Sequence, residues 1–351
     1  MGNQNERTVV GIDGDSFTIN GNPTYSDTAF EGRSIEGLLL NSRMVQAIFD
    51  DENPDTRDRW AYPDTGKWDP ERNVDEFLTA LPAYYDHGLR AVTINLQCGN
   101  PDGYSPHHPQ HVSAYRGDGS LKSDWLDRLD LVLDEADRLG MVIILGLFYQ
   151  GQDTRLNDES AIINGVENVL DWLHEQDYRN VIIEVNNECD ARPEQGWGYE
   201  QEILKPGRVH ELIKLVRDYD AGEHSFLAST SFTGGTVPSD NVIAEADFAL
   251  LHGNGVSDPR GIEEMVKRTR ERPSYTEMPL VFNEDDHYDF RLYPNNMLIA
   301  LQNRASWGYY DGGRNNYRDG YQSPPVDWSI NTSRKKEFFD YVNYIVYESP
   351  G

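Results

Sequence analysis

The chain has 351 residues, long for one ordinary domain but suited to one barrel with loop insertions, and its 38% apolar content is ample for a large core. Its 60 acidic and 31 basic residues leave a formal charge of -29, which speaks against nucleic acid and anionic membranes, because the densest basic run is only Arg334-Lys335-Lys336. No stretch approaches the roughly 20 apolar residues of a membrane-spanning helix. The opening Met1-Gly2-Asn3-Gln4-Asn5-Glu6-Arg7 lacks the apolar core of a signal peptide, so the chain is cytoplasmic or its leader is absent from this sequence.

Residues 8–25 read as a hairpin cap. Apolar runs at 9–12 and 17–19 flank Asp13-Gly14, and Asn20-Gly21 marks a second turn. Strands are then predicted at 35–40, 90–96, 141–148, 181–185, 225–229, 248–251, 280–282 and 306–310. Most are rich in Val, Ile, Leu or Phe without alternation, as expected of strands buried on both faces.

Amphipathic segments separate the strands. Asp69-Pro70 opens a helix that Gly88 closes. Between 124 and 140, Trp125, Leu129, Val132, Ala136 and Leu139 recur at spacings of four and three and lay one stripe against the sheet. A last helix is predicted from 333 to 347. This alternation predicts an α/β chain, a single (β/α)8 (TIM) barrel domain over residues 1–351, with the hairpin over its N-terminal face. The Gly/Pro-rich, aromatic segments 44–67 and 100–122 each follow a strand's C-terminal end and are expected to wall a cleft.

The fourth strand runs into Asn186-Asn187-Glu188 and the seventh into Asn283-Glu284. Barrel enzymes keep their active sites at the C-terminal rim, so two Asn-Glu pairs on these strands put two carboxyls at one mouth. Such a pair suits glycoside cleavage: one carboxyl donates a proton to the departing oxygen, and the other attacks the anomeric carbon. Arg43 lies just past the first strand and is expected to hydrogen-bond the attacking carboxylate. His252 ends the sixth strand. Asn95 and Gln97 end the second, and Tyr149 and Gln150 the third; amides there suit hydroxyl recognition.

This arrangement resembles glycoside hydrolase clan A, the superfamily of the family 5 cellulases and mannanases. The resemblance implies a retaining enzyme acting on a carbohydrate without a cofactor. Glu188 would be the acid/base, Glu284 the nucleophile and Asn187 the ligand of the sugar 2-hydroxyl. Trp307 would stack on the sugar, and His252 would face the cleft. The chain departs from the family 5 pattern at Cys189, where proline usually stands, at Asn254, where an aromatic is expected, and at Asp285.

Two other readings compete. A barrel that binds carbohydrate but has lost catalysis would displace one carboxylate from the cleft. A metal-dependent hydrolase would gather His and Asp at the strand ends, and these ends carry mainly Asn, Glu, Gln and aromatics instead. The cluster His107-His108 with His111 reads as loop, and Asp285-Asp286-His287 offers no physical argument for an ion; no metal is expected. Cys98 and Cys189 make neither a disulfide framework nor a zinc site, and Cys189 reads as a packing residue.

Overall fold

The computed structural model describes residues 7–102, 109–192, 198–219, 224–287, 289–312 and 320–349. The chain opens with β1 (Val10–Asp13), β2 (Ser16–Ile19) and β3 (Asn22–Pro23), an antiparallel sheet in which Asp13 pairs with Ser16 across the turn. A second small hairpin, β4 (Ala29–Phe30) and β5 (Arg33–Ser34), was not anticipated.

The barrel strands follow: β6 (Asn41–Arg43), β7 (Ala91–Asn95), β8 (Val142–Phe148), β9 (Val181–Asn186), β10 (Leu227–Ser229), β11 (Ala249–His252) and β12 (Leu280–Glu284). The eighth strand is broken into β13 (Ala305–Ser306) and β14 (Gly308–Tyr309). All of their pairings are parallel, in the orders β10-β9-β8-β7-β6-β14 and β11-β12-β13. The broken strand joins the two sheets, because β13 pairs with β12 and β14 with β6. Asp247 links β11 to β10, its N–H donating to Ala228 O at 3.0 Å and its carboxylate accepting from Ala228 N at 2.8 Å. The result is a (β/α)8 barrel.

Its helices are α1 (Pro70–Asp86), α2 (Ser123–Leu139), α3 (Glu159–Glu175), α4 (Val209–Asp218), α5 (Asp240–Glu245), α6 (Pro259–Arg270), α7 (Asn296–Gln302) and α8 (Ser333–Asn343). The Asp69 cap acts as read, its carboxylate accepting from Arg72 N with Pro70 behind it; α2 ends on Gly140 in the left-handed region. Trp125, Leu129, Val132 and Ala136 are buried.

Alternate residues of each strand serve two cores. Val92, Ile94, Ile143, Leu145 and Ile183 face the helices. Leu39, Ala91, Val142, Ile144, Ile182, Leu250 and Val281 fill the barrel, and Val10 and Phe17 of the hairpin join them. The Phe17 ring meets Phe248 edge-on at 5.9 Å, and Val10 N donates to Arg179 O at 2.9 Å. The hairpin thus plugs the N-terminal end, and the interior turns polar toward the other end, where Asn41, Arg43, Asn95 and Glu184 are buried.

That gradient corrects the first strand. Residues 35–40 were expected to pair, but the ladder is formed by the polar Asn41–Arg43. Apolarity misleads here because the barrel supplies partners: Asn41 Nδ2 donates to Leu39 O at 3.0 Å and Phe282 O at 3.2 Å. Gly308 makes room for that amide, since a Cβ there would lie 2.1 Å from Asn41 Oδ1.

The loops after β6 and β7 are tied together by one buried carboxylate. Asp51 accepts from Thr56 Oγ1 at 2.6 Å, Trp60 Nε1 at 2.8 Å and, across to the second loop, His111 N at 2.9 Å. His107 and His108, in the suggested histidine cluster, lie outside the described residues. No described helix is long and apolar enough to cross a membrane.

The charge itself predicts a salt response. Lysine stands only at 67, 122, 205, 214, 267, 335 and 336, and an acidic, lysine-poor surface of this kind resembles that of proteins from salty cytoplasms. Self-repulsion at -29 is relieved as the Debye length shrinks to about 3 Å near 1 M salt, so the melting temperature should rise from dilute buffer to molar salt. A flat or falling melting temperature across that range refutes this.

Candidate active site

Glu188 lies one residue past Asn187, beyond the C-terminal end of β9, and Glu284 ends β12. One carboxylate oxygen from each and a ring nitrogen of His252 lie within 4.8 Å of one another. The Glu188 backbone is left-handed, with φ at 47°. Such a conformation costs a non-glycine residue about 1–3 kcal/mol and persists only where the surroundings impose it. Here Ser231 Oγ accepts from Glu188 N at 2.9 Å and donates to Glu184 at 2.6 Å, holding the turn.

Arg43 organises the other side. Its Nε is 2.6 Å from Glu284 Oε2, Nη1 is 3.7 Å from Glu184 Oε2, and Nη2 donates to Asn187 Oδ1 at 2.7 Å. Burial opposes the guanidinium charge, but Glu284 and Glu184 outweigh it and raise the Arg43 pKa. Asn187 passes the chain on, donating to Gln150 Oε1 at 3.1 Å, and Gln150 Nε2 reaches Glu188 Oε2 at 3.4 Å.

His252 stands among three carboxylates. Its Nδ1 is 3.0 Å from Glu188 and 3.7 Å from Glu284, and its Nε2 is 3.9 Å from Glu184. Burial pulls the imidazole pKa down, yet the Glu284 charge and the hydrogen bond and charge of Glu188 raise it overall. Tyr149 and Tyr310 are buried nearby; burial first, and then the Glu284 charge, push both phenols up.

The structure therefore brings together Glu188, Glu284, Asn187, Arg43 and His252, with Tyr149 beside them. Two expected residues fall elsewhere. Trp307 is fully buried with its ring edge-on to Phe290 at 5.9 Å and beside Phe338 of α8, and its Nε1 donates to Asp285 Oδ2 at 2.9 Å. It sits where the eighth strand breaks and packs toward the helices, which leaves no face for a sugar. Tyr310, just past the end of β14, lies within electrostatic range of Glu284. Gln97 is also fully buried, and its amide is committed to Ser113 Oγ, Gln152 O and Tyr149 N. It fixes the loops instead of meeting a ligand.

Glu184 was missed, although a carboxylate within the apolar run Val181-Ile182-Ile183 was the signal: such a group must find partners inside. It finds Arg43, Ser231 and Asn283, whose Nδ2 donates at 3.1 Å. Asn254, noted only as a departure, donates from Nδ2 to Glu284 Oε1. Two groups of described residues have metal-ligand spacing, namely Glu188, His252 and Glu284, and Asp285, Asp286 and His287. In the second, Asp285 already accepts from Trp307, Asn296 and His287.

No protein-family model matches the sequence, and no curated protein matches it. Solved structures do resemble it. An endo-1,4-beta-mannanase from Rhizomucor miehei is 10% identical, with a TM-score of 0.57 over 97% of this chain and 100% of that one. A family 5 mannosidase from the same organism is 13% identical, with a TM-score of 0.55 over 97% of each chain. A broad-specificity family 5 endoglucanase from Bacteroides salanitronis is 12% identical, with a TM-score of 0.56 over 89% of this chain and 94% of that one. At such identities the likeness speaks for architecture, and the chain has the (β/α)8 fold that these glycoside hydrolases share.

Proposed function

We propose that the protein is a retaining glycosidase that cleaves O-glycosidic bonds of an oligo- or polysaccharide without a cofactor. The observation that carries this reading is the adjoining pair, Glu188 and Glu284, with oxygens within 4.8 Å. Retaining enzymes hold their carboxyls about 5–5.5 Å apart, whereas inverting ones need room for a water between them. The rival reading of an inactive barrel required one carboxylate to be displaced.

The contacts divide the roles. Arg43 is bonded to Glu284 and not to Glu188, as suits an ionised nucleophile. Among the described residues the Glu188 carboxylate meets the neutral or exchangeable groups Gln150 and His252, as suits a group that gives and takes a proton. A Glu284 oxygen would attack the anomeric carbon while the glycosidic bond breaks and its oxygen takes the Glu188 proton. Water, deprotonated by Glu188, would then displace Glu284 with a second inversion. The two loops joined through Asp51 would form one wall of the substrate groove.

The first substrates to try are β-1,4-mannan and β-glucan, suggested by the mannanase and endoglucanase that share the fold. A panel of nitrophenyl glycosides and plant and marine polysaccharides, run beside Glu284→Ala, tests the reading. Turnover by the wild type and not by the variant is expected; an inert wild type on every member sinks it.

A further inference from the structure

The loop after β11 makes a polar contact that the carboxylate pair does not by itself require. β11 and β12 shift register between Leu251 and His252, so Leu251 pairs with Phe282 but His252 with Glu284. Such an irregularity bends a strand and re-aims the residues beyond it. The next turn is laced to the nucleophile's strand: Gly253 N donates to Glu284 O at 2.7 Å and Gly255 N to Asp286 Oδ1 at 3.2 Å. It is also closely seated, since a Cβ on Gly234 would lie 2.1 Å from Asn254 O and one on Gly253 2.4 Å from Asp285 Oδ2.

This seat delivers the Asn254 carboxamide to the nucleophile. Nδ2 donates to Glu284 Oε1 while Arg43 Nε holds Oε2. The opposite amide orientation would set oxygen against carboxylate oxygen, so charge fixes which atom faces Glu284. The remaining atom, Asn254 Oδ1, is buried and accepts no hydrogen bond among the described residues.

We propose that Asn254 is a positioning residue for the nucleophile and that its Oδ1 receives a hydroxyl of the sugar bound at the cleavage point. Donors on both oxygens fix the plane of the Glu284 carboxylate, and in-line attack depends on that plane. A buried acceptor without a partner is costly until a donor arrives, and a sugar hydroxyl is such a donor. The inference rests on the glycosidase reading, with Glu284 as the attacking group.

The test uses the whole protein, the variants Asn254→Ala, Asn254→Asp and Glu284→Ala, and 2,4-dinitrophenyl glycosides with their monodeoxy counterparts. Asn254→Ala should keep the wild-type melting temperature and lower kcat by about 100-fold, the lower end for loss of one preorganised donor. The acid limb of its pH profile should move upward. Asn254→Asp should be worse at neutral pH and recover toward acid, where its carboxyl gains a proton and can donate. For one monodeoxy glycoside the alanine variant should cost less than for its parent. If Glu284→Ala is dead but Asn254→Ala keeps kcat and its pH profile within about twofold, the positioning role is overturned while the glycosidase reading stands. If every deoxy glycoside loses as much as its parent, the hydroxyl contact is overturned. A wild type inert on every glycoside overturns both the glycosidase reading and this inference.

Discussion

Azide should restore turnover to Glu188→Ala and to Glu284→Ala with opposite stereochemistry. Without Glu188, an aryl glycoside with a good leaving group needs no proton, so Glu284 still attacks and the glycosyl intermediate forms. The intermediate then waits, because the base that activates water is missing. Azide needs no base, and its attack gives a glycosyl azide of retained configuration. Without Glu284 the first attack is lost, and turnover even of activated substrates should fall by about four orders of magnitude. Azide in the vacated space would attack the substrate directly and give the inverted product. The assignment fails if Glu188→Ala keeps full activity on an unactivated substrate, or if Glu188→Ala gives the inverted azide and Glu284→Ala the retained one.

Arg43→Met should unfold at a markedly lower urea concentration than the wild type. The side chain is 2% exposed, and its partners Glu184 and Glu284 are 0% and 7% exposed, so water cannot replace the guanidinium. Removing one member of a buried pair leaves the other charge uncompensated, at a cost of about 3–5 kcal/mol. Methionine fills much of the space, which separates lost charge from lost packing. The deficit should narrow as the pH falls, because protonation removes the stranded carboxylate charge. Arg43→Lys should recover part of the stability and little activity, since one ammonium cannot reproduce the fork that meets Glu284, Glu184 and Asn187. An unchanged urea midpoint for Arg43→Met would show that the guanidinium does not hold this centre together.

The sequence alone carried the strand and helix order, because both arise from local regularities. Apolar runs such as Val142–Phe148 need burial on both faces, and the caps at Asp69 and Gly140 act within one turn of their own helices. The positions of Glu188 and Glu284 were legible for the same reason, each at the end of an apolar strand. Which way other side chains face depends on contacts distant in sequence. The polar strand Asn41–Arg43 exists because Phe282 O, Glu284 and Asn187 come to meet it. Trp307 packs outward because the eighth strand breaks beside Asn41, and Gln97 is consumed by loops that fold back over it. Asn254 reaches the nucleophile through a register shift that no local pattern signals. A strand's own period sets only the alternation of its faces; barrel closure sets the register between strands, and register decides which polar groups share the mouth.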